Sequence, residues 1–223
     1  MMEPVIKAVG IRAGYQKKIV LDNLNLSVTP GSFTGLSGPN GSGKSTFIKL
    51  CLGIIKPLSG NITVLNAKPG ERVFQKTLFK IGYVPQRISG GEIPVTVYEA
   101  VSMGRYGMTG IFRRLSVKDH DLVRQSLEAA GLRGLEKRRV QELSGGQLQR
   151  TAIARALAME AELLLLDEPG SSLDSQGRLD LLDILRKQRE LSGLTVLIVS
   201  HDDNIFSYCD RVYRFETREY LHD

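Results

Sequence analysis

The sequence has little sulfur chemistry and no long apolar run. Its two cysteines, Cys51 and Cys209, are too few for a disulfide framework and point to a reducing compartment. The longest uninterrupted apolar stretches, Leu163 to Leu166 and Val196 to Val199, fall far short of the ~18 residues a membrane span needs. The opening Met1-Met2-Glu3-Pro4 lacks the basic-then-apolar order of a signal peptide. His120, His201 and His222 are scattered, and the cysteines are not in C-x-x-C spacing, so no metal-ligand cluster stands out. No Gly/Ser linker, Pro-rich tract, charge block or internal repeat interrupts the chain. Together these absences exclude a membrane-crossing or disulfide-stapled protein and predict a soluble, cytoplasmic one.

What is present suits one globular domain, or one domain with a subdomain. The chain has 223 residues, 42% of them apolar, and at that size can bury roughly 70% of its unfolded surface. Lys+Arg exceeds Asp+Glu by 30 − 24 = 6. Such a charge accommodates phosphate ligands, nucleic acid or an anionic membrane surface without choosing among them.

Leu24, Leu26 and Val28 alternate with Asn25 and Ser27, as in a strand with one wetter face, and Pro30-Gly31 ends it. A weaker strand, Ser32 to Leu36, leads into a Gly-rich stretch. Gly35 inside it implies close packing or a shifted boundary. Phe47/Cys51 and Ile48/Leu52/Ile55 fall on helical rows closed by Gly53 and Pro57. Ile62 to Leu65 followed by Asn66-Ala67 predicts a strand and turn. Residues 87–160 read as a mostly helical insert, with rows Val95-Glu99/Val101-Met103 and Leu122/Val123/Ser126/Leu127/Ala130. Leu163 to Leu166 and Leu194 to Val199 are apolar on both faces, as in a parallel sheet covered by helices, with Leu179/Leu182/Leu185 on the intervening helix. The predicted class is α/β with a helical subdomain.

Gly38-Pro39-Asn40-Gly41-Ser42-Gly43-Lys44-Ser45-Thr46 fits G-x-x-x-x-G-K-[ST] between a strand and a helix. Its glycines let successive backbone N–H groups point at one anion, and the helix start adds its positive end. Lys44 places a compact charge at the β- and γ-phosphates, and Ser45 offers a hydroxyl to Mg²⁺. An ordinary Gly-rich turn needs neither residue at that offset. Asp167 ends the run Leu163 to Leu166 and is a candidate to hold Mg²⁺; Glu168 after it is placed to polarise an attacking water. A carboxylate pair ending a strand can also be a solvated turn.

Ser144-Gly145-Gly146-Gln147, after Leu143, has the S-x-x-Q spacing of a capping box, with the row Leu148, Ala152, Ala156, Met159 behind it. Paired glycines weaken a helix start, and suit a backbone lying close to an anion. With one phosphate cradle already present, this second helix start makes sense if it serves another subunit's nucleotide.

The P-loop, Leu143 to Gln147, the run Leu163 to Pro169, Ser171-Ser172-Leu173-Asp174 and His201 occur in that order. Over essentially the whole chain they resemble the motif set of ATP-binding-cassette (ABC) ATPases. The resemblance implies a P-loop NTPase core with a mostly parallel sheet, an N-terminal antiparallel β-subdomain and a helical subdomain. One cassette over 1–223 would divide into a nucleotide-binding core, 1–86 and 161–223, and a helical part of about 87–160. It further implies a head-to-tail dimer with two ATP molecules, each between one copy's P-loop and the other's Ser144 to Gln147. By the same resemblance, Asp174 belongs to the loop crossing that interface, and His201 contacts the γ-phosphate and orients the water with Glu168. Gln86 matches the glutamine that senses Mg²⁺ and links core to helical part; Tyr15 occupies the place of the aromatic that stacks on adenine, a packed turn tyrosine being the alternative. Two residues depart from the pattern: Gly170 stands where a bulkier residue is common, and Asn66 where glycine is.

Ile93 to Val97 and Val101 to Gly107, continuing through Phe112-Arg113-Arg114, are similar to ATPase subunits of zinc, manganese or iron(II) importers. That similarity implies a peripheral protein on the cytoplasmic face of the cell membrane, bound to integral-membrane permease subunits and working indirectly with an extracytoplasmic substrate-binding protein. Relatives importing metal chelates leave the cargo open. A soluble cassette acting on nucleic acid or ribosomes is the rival. Against it, the segment between Gln86 and Leu143 is short, only one cassette is present, and Arg113-Arg114 and Lys137-Arg138-Arg139 lack interleaved aromatics, so no nucleic acid is expected.

Overall fold

Two compact units make up the chain, one formed by Met1–Leu78 with Thr195–Asp223, the other by Phe79–Leu194. The computed structural model describes residues 3–16, 18–88, 94–109, 114–170 and 173–216. Met1, Met2, Ile93, Phe112, Arg113, Ser171, Ser172 and His222, named above, lie outside the described residues. The first unit starts with β1 (Ile6–Tyr15), β2 (Lys18–Val28), β3 (Phe33–Ser37), α1 (Lys44–Cys51), β4 (Ser59–Val64) and α2 (Phe74–Leu78). The second contains β5 (Ile81–Val84), α3 (Val97–Thr109), α4 (Val117–Ala129), α5 (Gly145–Ala158), β6 (Leu163–Asp167) and α6 (Ser175–Ser192). The chain returns to the first with β7 (Thr195–Val199), α7 (Asp203–Phe206) and β8 (Arg211–Arg214).

In the first unit, β1 lies between β2 and β4 and is antiparallel to both. Ile6, Ala8, Ile11 and Ala13 form its buried face. Register shifts between Ala8 and Ile11 and between Ala13 and Gly14 interrupt the two-residue period. The Ile62 to Leu65 strand is β4, and its turn has two left-handed residues, Leu65 at φ 49° and Asn66 at φ 62°. Asparagine tolerates that conformation, whereas leucine does so only under tertiary constraint.

A second sheet in this unit has β3 between β7 and β8, parallel to both, with Leu36 opposite Val199 and Tyr213. Gly35 belongs in β3 because the packing is close: a Cβ there would lie 2.7 Å from Phe206 Cδ1. β7 is buried along its whole length, as its continuous apolar run requires.

In the second unit β5 runs parallel to β6, Tyr83 opposite Leu165, and β6 is buried throughout. Between them in sequence, α3, α4 and α5 enclose a core of Val97, Val101, Val123, Leu127, Leu132, Ala154 and Ala158. Among the described residues of this stretch the only β-pairing is an isolated bridge from Thr96 to Arg139. Two helical rows differ from expectation. Met103 is 47% exposed, because α3 turns Val97 and Val101 inward instead. Leu179 is 42% exposed, and α6 buries Leu181, Leu182 and Leu185, a row shifted by half a turn at its start.

A buried ion pair sits within this helical part. Arg105 on α3 donates from Nε to Asp119 Oδ1 at 2.8 Å and from Nη1 to the carbonyl of Ala158 at 2.8 Å. Asp119 also closes the capping box that starts α4, accepting from the Ser116 hydroxyl at 2.6 Å and amide at 2.9 Å. Those Ser116 bonds, aided by Arg105, lower the Asp119 carboxyl to about 2. Among the described residues no helix is long and apolar enough to cross a membrane.

Candidate nucleotide site

β3 delivers the chain into the Gly38 to Thr46 loop, and α1 begins at Lys44. The helix start has no side-chain cap. An anion is favoured there by the positive end of the helix. The loop conformation depends on its glycines. A Cβ on Gly38 would lie 2.2 Å from the Phe215 carbonyl oxygen, and one on Gly43 2.4 Å from Leu21 Cδ2.

Lys44 is buried, its ammonium donating to the carbonyls of Gly38 at 2.6 Å and Pro39 at 2.9 Å. Those bonds hold the ammonium against the loop's neutral carbonyl oxygens, a position that favours an added anion. Ser42 Oγ is buried without a hydrogen-bond partner, the one such side-chain atom found among the described residues. A buried hydroxyl left unsatisfied is expected where a ligand completes the bonding. Pro39, Asn40, Gly41 and Ser45 are exposed around it, and Thr46 is buried on the helix side.

Two further predicted residues belong to this unit. Since β3 and β7 are parallel, both leave the sheet at the same edge, and the Ser200 amide bonds to the Leu36 carbonyl at 3.2 Å. His201 follows, exposed, at the edge from which the loop also departs. Tyr15 ends β1, 42% exposed, with Lys49 Nζ 5.5 Å from its ring centroid. Sequence alone does not single out Lys49; its place in the second turn of α1, across from a separate strand, is a tertiary fact.

The other predicted residues lie in the second unit. Asp167 ends β6 and is buried. Tyr83 on β5 is raised above its usual value by burial and then by the negative Asp167. Glu168 takes a left-handed backbone at φ 50°, a conformation costing a non-glycine residue about 1–2 kcal/mol. Gln86 follows β5 as Glu168 follows β6, and Gln86 Nε2 donates to Glu168 Oε2 at 2.8 Å.

At the start of α5 the capping box is complete: the Ser144 hydroxyl accepts from the Gln147 amide, and the Gln147 side chain accepts from the Ser144 amide at 3.1 Å. Ser144 and Gly145 are exposed. Asp174 N-caps α6, accepting from the Gly177 amide at 2.7 Å. That capping role was not anticipated; the Asp-x-x-Gly spacing carried the signal for it. The structure thus groups the phosphate loop with Tyr15 and His201, and Gln86 with Asp167 and Glu168.

A sequence profile of the ABC transporter family matches residues 21–171. The chain belongs to the ABC transporter family. The manganese transport system ATP-binding protein MntB of Listeria monocytogenes is 38% identical over 205 residues, covering 91% of this chain and 83% of that protein. The high-affinity zinc uptake system ATP-binding protein ZnuC of Bacillus subtilis is 38% identical over 209 residues, 92% of this chain and 88% of that one. Among solved structures, CbiO1 from Clostridium perfringens, part of an ABC transporter complex, matches with a TM-score of 0.84 at 31% identity over 95% of this chain and 84% of its own. A dimeric bacterial ABC transporter cassette matches at 0.82 with 31% identity, covering 95% and 94%. These likenesses agree with the α/β cassette architecture expected from the motifs.

Ser45 in the first unit, and Asp167 and Gln86 in the second, each offer the hard oxygen donors that Mg²⁺ prefers. The uncapped helix and the orphaned Ser42 hydroxyl have the chemistry of a phosphate site. The residues present fit both groups.

Proposed function

We propose that this chain is the ATP-hydrolysing subunit that energises a membrane ABC transporter importing a transition-metal ion, zinc, manganese or iron. The observation carrying the ATPase part is the phosphate loop itself, with buried Lys44, an uncapped α1 and the unsatisfied Ser42 hydroxyl. Similarity over 91% and 92% of this chain to manganese and zinc transport ATP-binding proteins supports the cargo class.

In this reading the amides of Gly38 to Thr46 and the Lys44 ammonium bind the phosphates of ATP. Tyr15, 42% exposed, stacks on the adenine. Ser45, Asp167 and Gln86 would hold Mg²⁺, which when bound neutralises charge on the β- and γ-phosphates. Glu168 accepts a proton from the attacking water, and His201 contacts the γ-phosphate and helps orient that water. The hydrogen bond from Gln86 Nε2 to Oε2 holds the Glu168 carboxylate in place for that role. Two copies pair head to tail, so that Ser144, Gly145, Gly146 and Gln147 of one close over ATP held by the other, with Asp174 at the crossing. The cassette sits peripherally at the cytoplasmic face of the membrane, on permease subunits served by an extracytoplasmic binding protein.

Phosphate release from ATP by the purified chain tests the enzymatic part. Turnover abolished by Lys44→Ala supports it; turnover unchanged by that substitution contradicts it.

A further inference from the structure

The exposed start of α5 is weak by construction, since Gly145 and Gly146 lower helix propensity and offer no side chain to hold it. Support comes from the start of α6. Leu173 lies so close that a Cβ on Gly146 would stand 2.8 Å from Leu173 Cδ2. Arg178 donates to the Leu173 carbonyl at 3.1 Å, and Asp174 caps the helix that follows. Further along α5, Arg150 donates from Nη2 to Asp180 Oδ2 at 2.7 Å, while Gln176 holds the other carboxylate oxygen at 2.8 Å. Gly131, just after α4, leaves room for the guanidinium: a Cβ there would lie 3.3 Å from Nη1.

The Arg150 and Asp180 side chains are 27% and 41% exposed. Such a pair adds little to overall stability. Its geometric effect is larger, because a short charge-assisted bond from α5 to α6, with Gln176 holding the second carboxylate oxygen, restrains the mutual register of the two helices. We propose that Arg150 and Asp180 are positioning residues, a clamp that sets the Ser144 to Gln147 turn and the Leu173-Asp174 turn as one preformed face for a second copy's nucleotide. The clamp is a property of the single chain; only its purpose rests on the dimer reading above.

The test measures amide hydrogen exchange in the full nucleotide-free chain, and ATP-driven self-association in a Glu168→Gln background. Arg150→Gln is expected to speed exchange at 144–147 and 173–177 by roughly three- to tenfold, leaving α1 and β7 unchanged. It should raise the concentration for half-maximal ATP-driven dimerisation by a similar factor, with nucleotide affinity of the monomer preserved. The charge swap Arg150→Asp with Asp180→Arg should restore both readouts. Unchanged exchange at the two turns, or acceleration spread equally over α1 and β7, overturns the clamp. If Arg150→Gln does not fold, Asp180→Asn breaks the pair from its other side and decides by the same measurements. A Glu168→Gln chain that stays monomeric with ATP defeats the dimer reading instead, and the exchange data still judge the clamp.

Discussion

Gln86 donates from Nε2 to Glu168 Oε2 at 2.8 Å, joining the residues that follow two adjacent parallel strands. The match of Val84 with Leu166 puts both side chains beyond the same sheet edge. Glu168 holds its left-handed backbone there, so the side chain reaches its place through strain offset by the surrounding packing. Gln86→Ala removes the bond. Steady-state kinetics should show kcat reduced roughly tenfold, with more Mg²⁺ needed for half-maximal turnover; unchanged kcat and Mg²⁺ dependence would take Gln86 out of both roles.

Glu168→Gln keeps the shape of the site and removes the base. Turnover should fall by roughly 10²- to 10⁴-fold while ATP binding persists. Size-exclusion chromatography should then reveal an ATP-bound dimer. Normal turnover would take Glu168 out of the catalytic role.

Tyr15 presents an open ring beside Lys49. Tyr15→Ala should weaken adenine nucleotide binding roughly tenfold and leave inorganic triphosphate binding unaltered, whereas Tyr15→Phe should bind normally. Equal binding of ATP by all three chains would make Tyr15 a packed turn residue.

Arg105 and Asp119 are nearly fully buried together. Arg105→Ala leaves the Asp119 carboxylate without its cationic partner and should destabilise the chain by about 3 kcal/mol in denaturant titration. Because the folded Asp119 titrates at about 2, below the ordinary aspartate value near ~3.9, its contribution is full above that ordinary value. It declines as pH falls towards the folded value. The stability gap between the wild type and Asp119→Asn should therefore narrow from pH 4 to pH 2.

Much of this site is legible from sequence because each motif is local. The phosphate loop joins a strand to a helix within nine consecutive residues, the Ser144/Gln147 box closes within one turn, and β6 announces itself by four leucines before Asp167. Elements lacking a clean period are harder to see. β1 carries register shifts that break its alternation, and α2 and β5 have only five and four residues. The inward row of α6 was misplaced because Leu179 suits either phase, and packing alone selects Leu181. The Arg150–Asp180 and Arg105–Asp119 pairs join residues 30 and 14 positions apart, and no local pattern foretells them.

The proposed function requires ATP hydrolysis in this site to drive metal entry. Uptake of radioactive manganese, zinc and iron, each supplied in turn to cells carrying the wild-type chain, no chain, or Lys44→Ala, tests this most directly. Uptake of at least one of the three metals should be lost with the chain and restored by the wild type but not by Lys44→Ala. Uptake of all three metals equal in the three strains would contradict it.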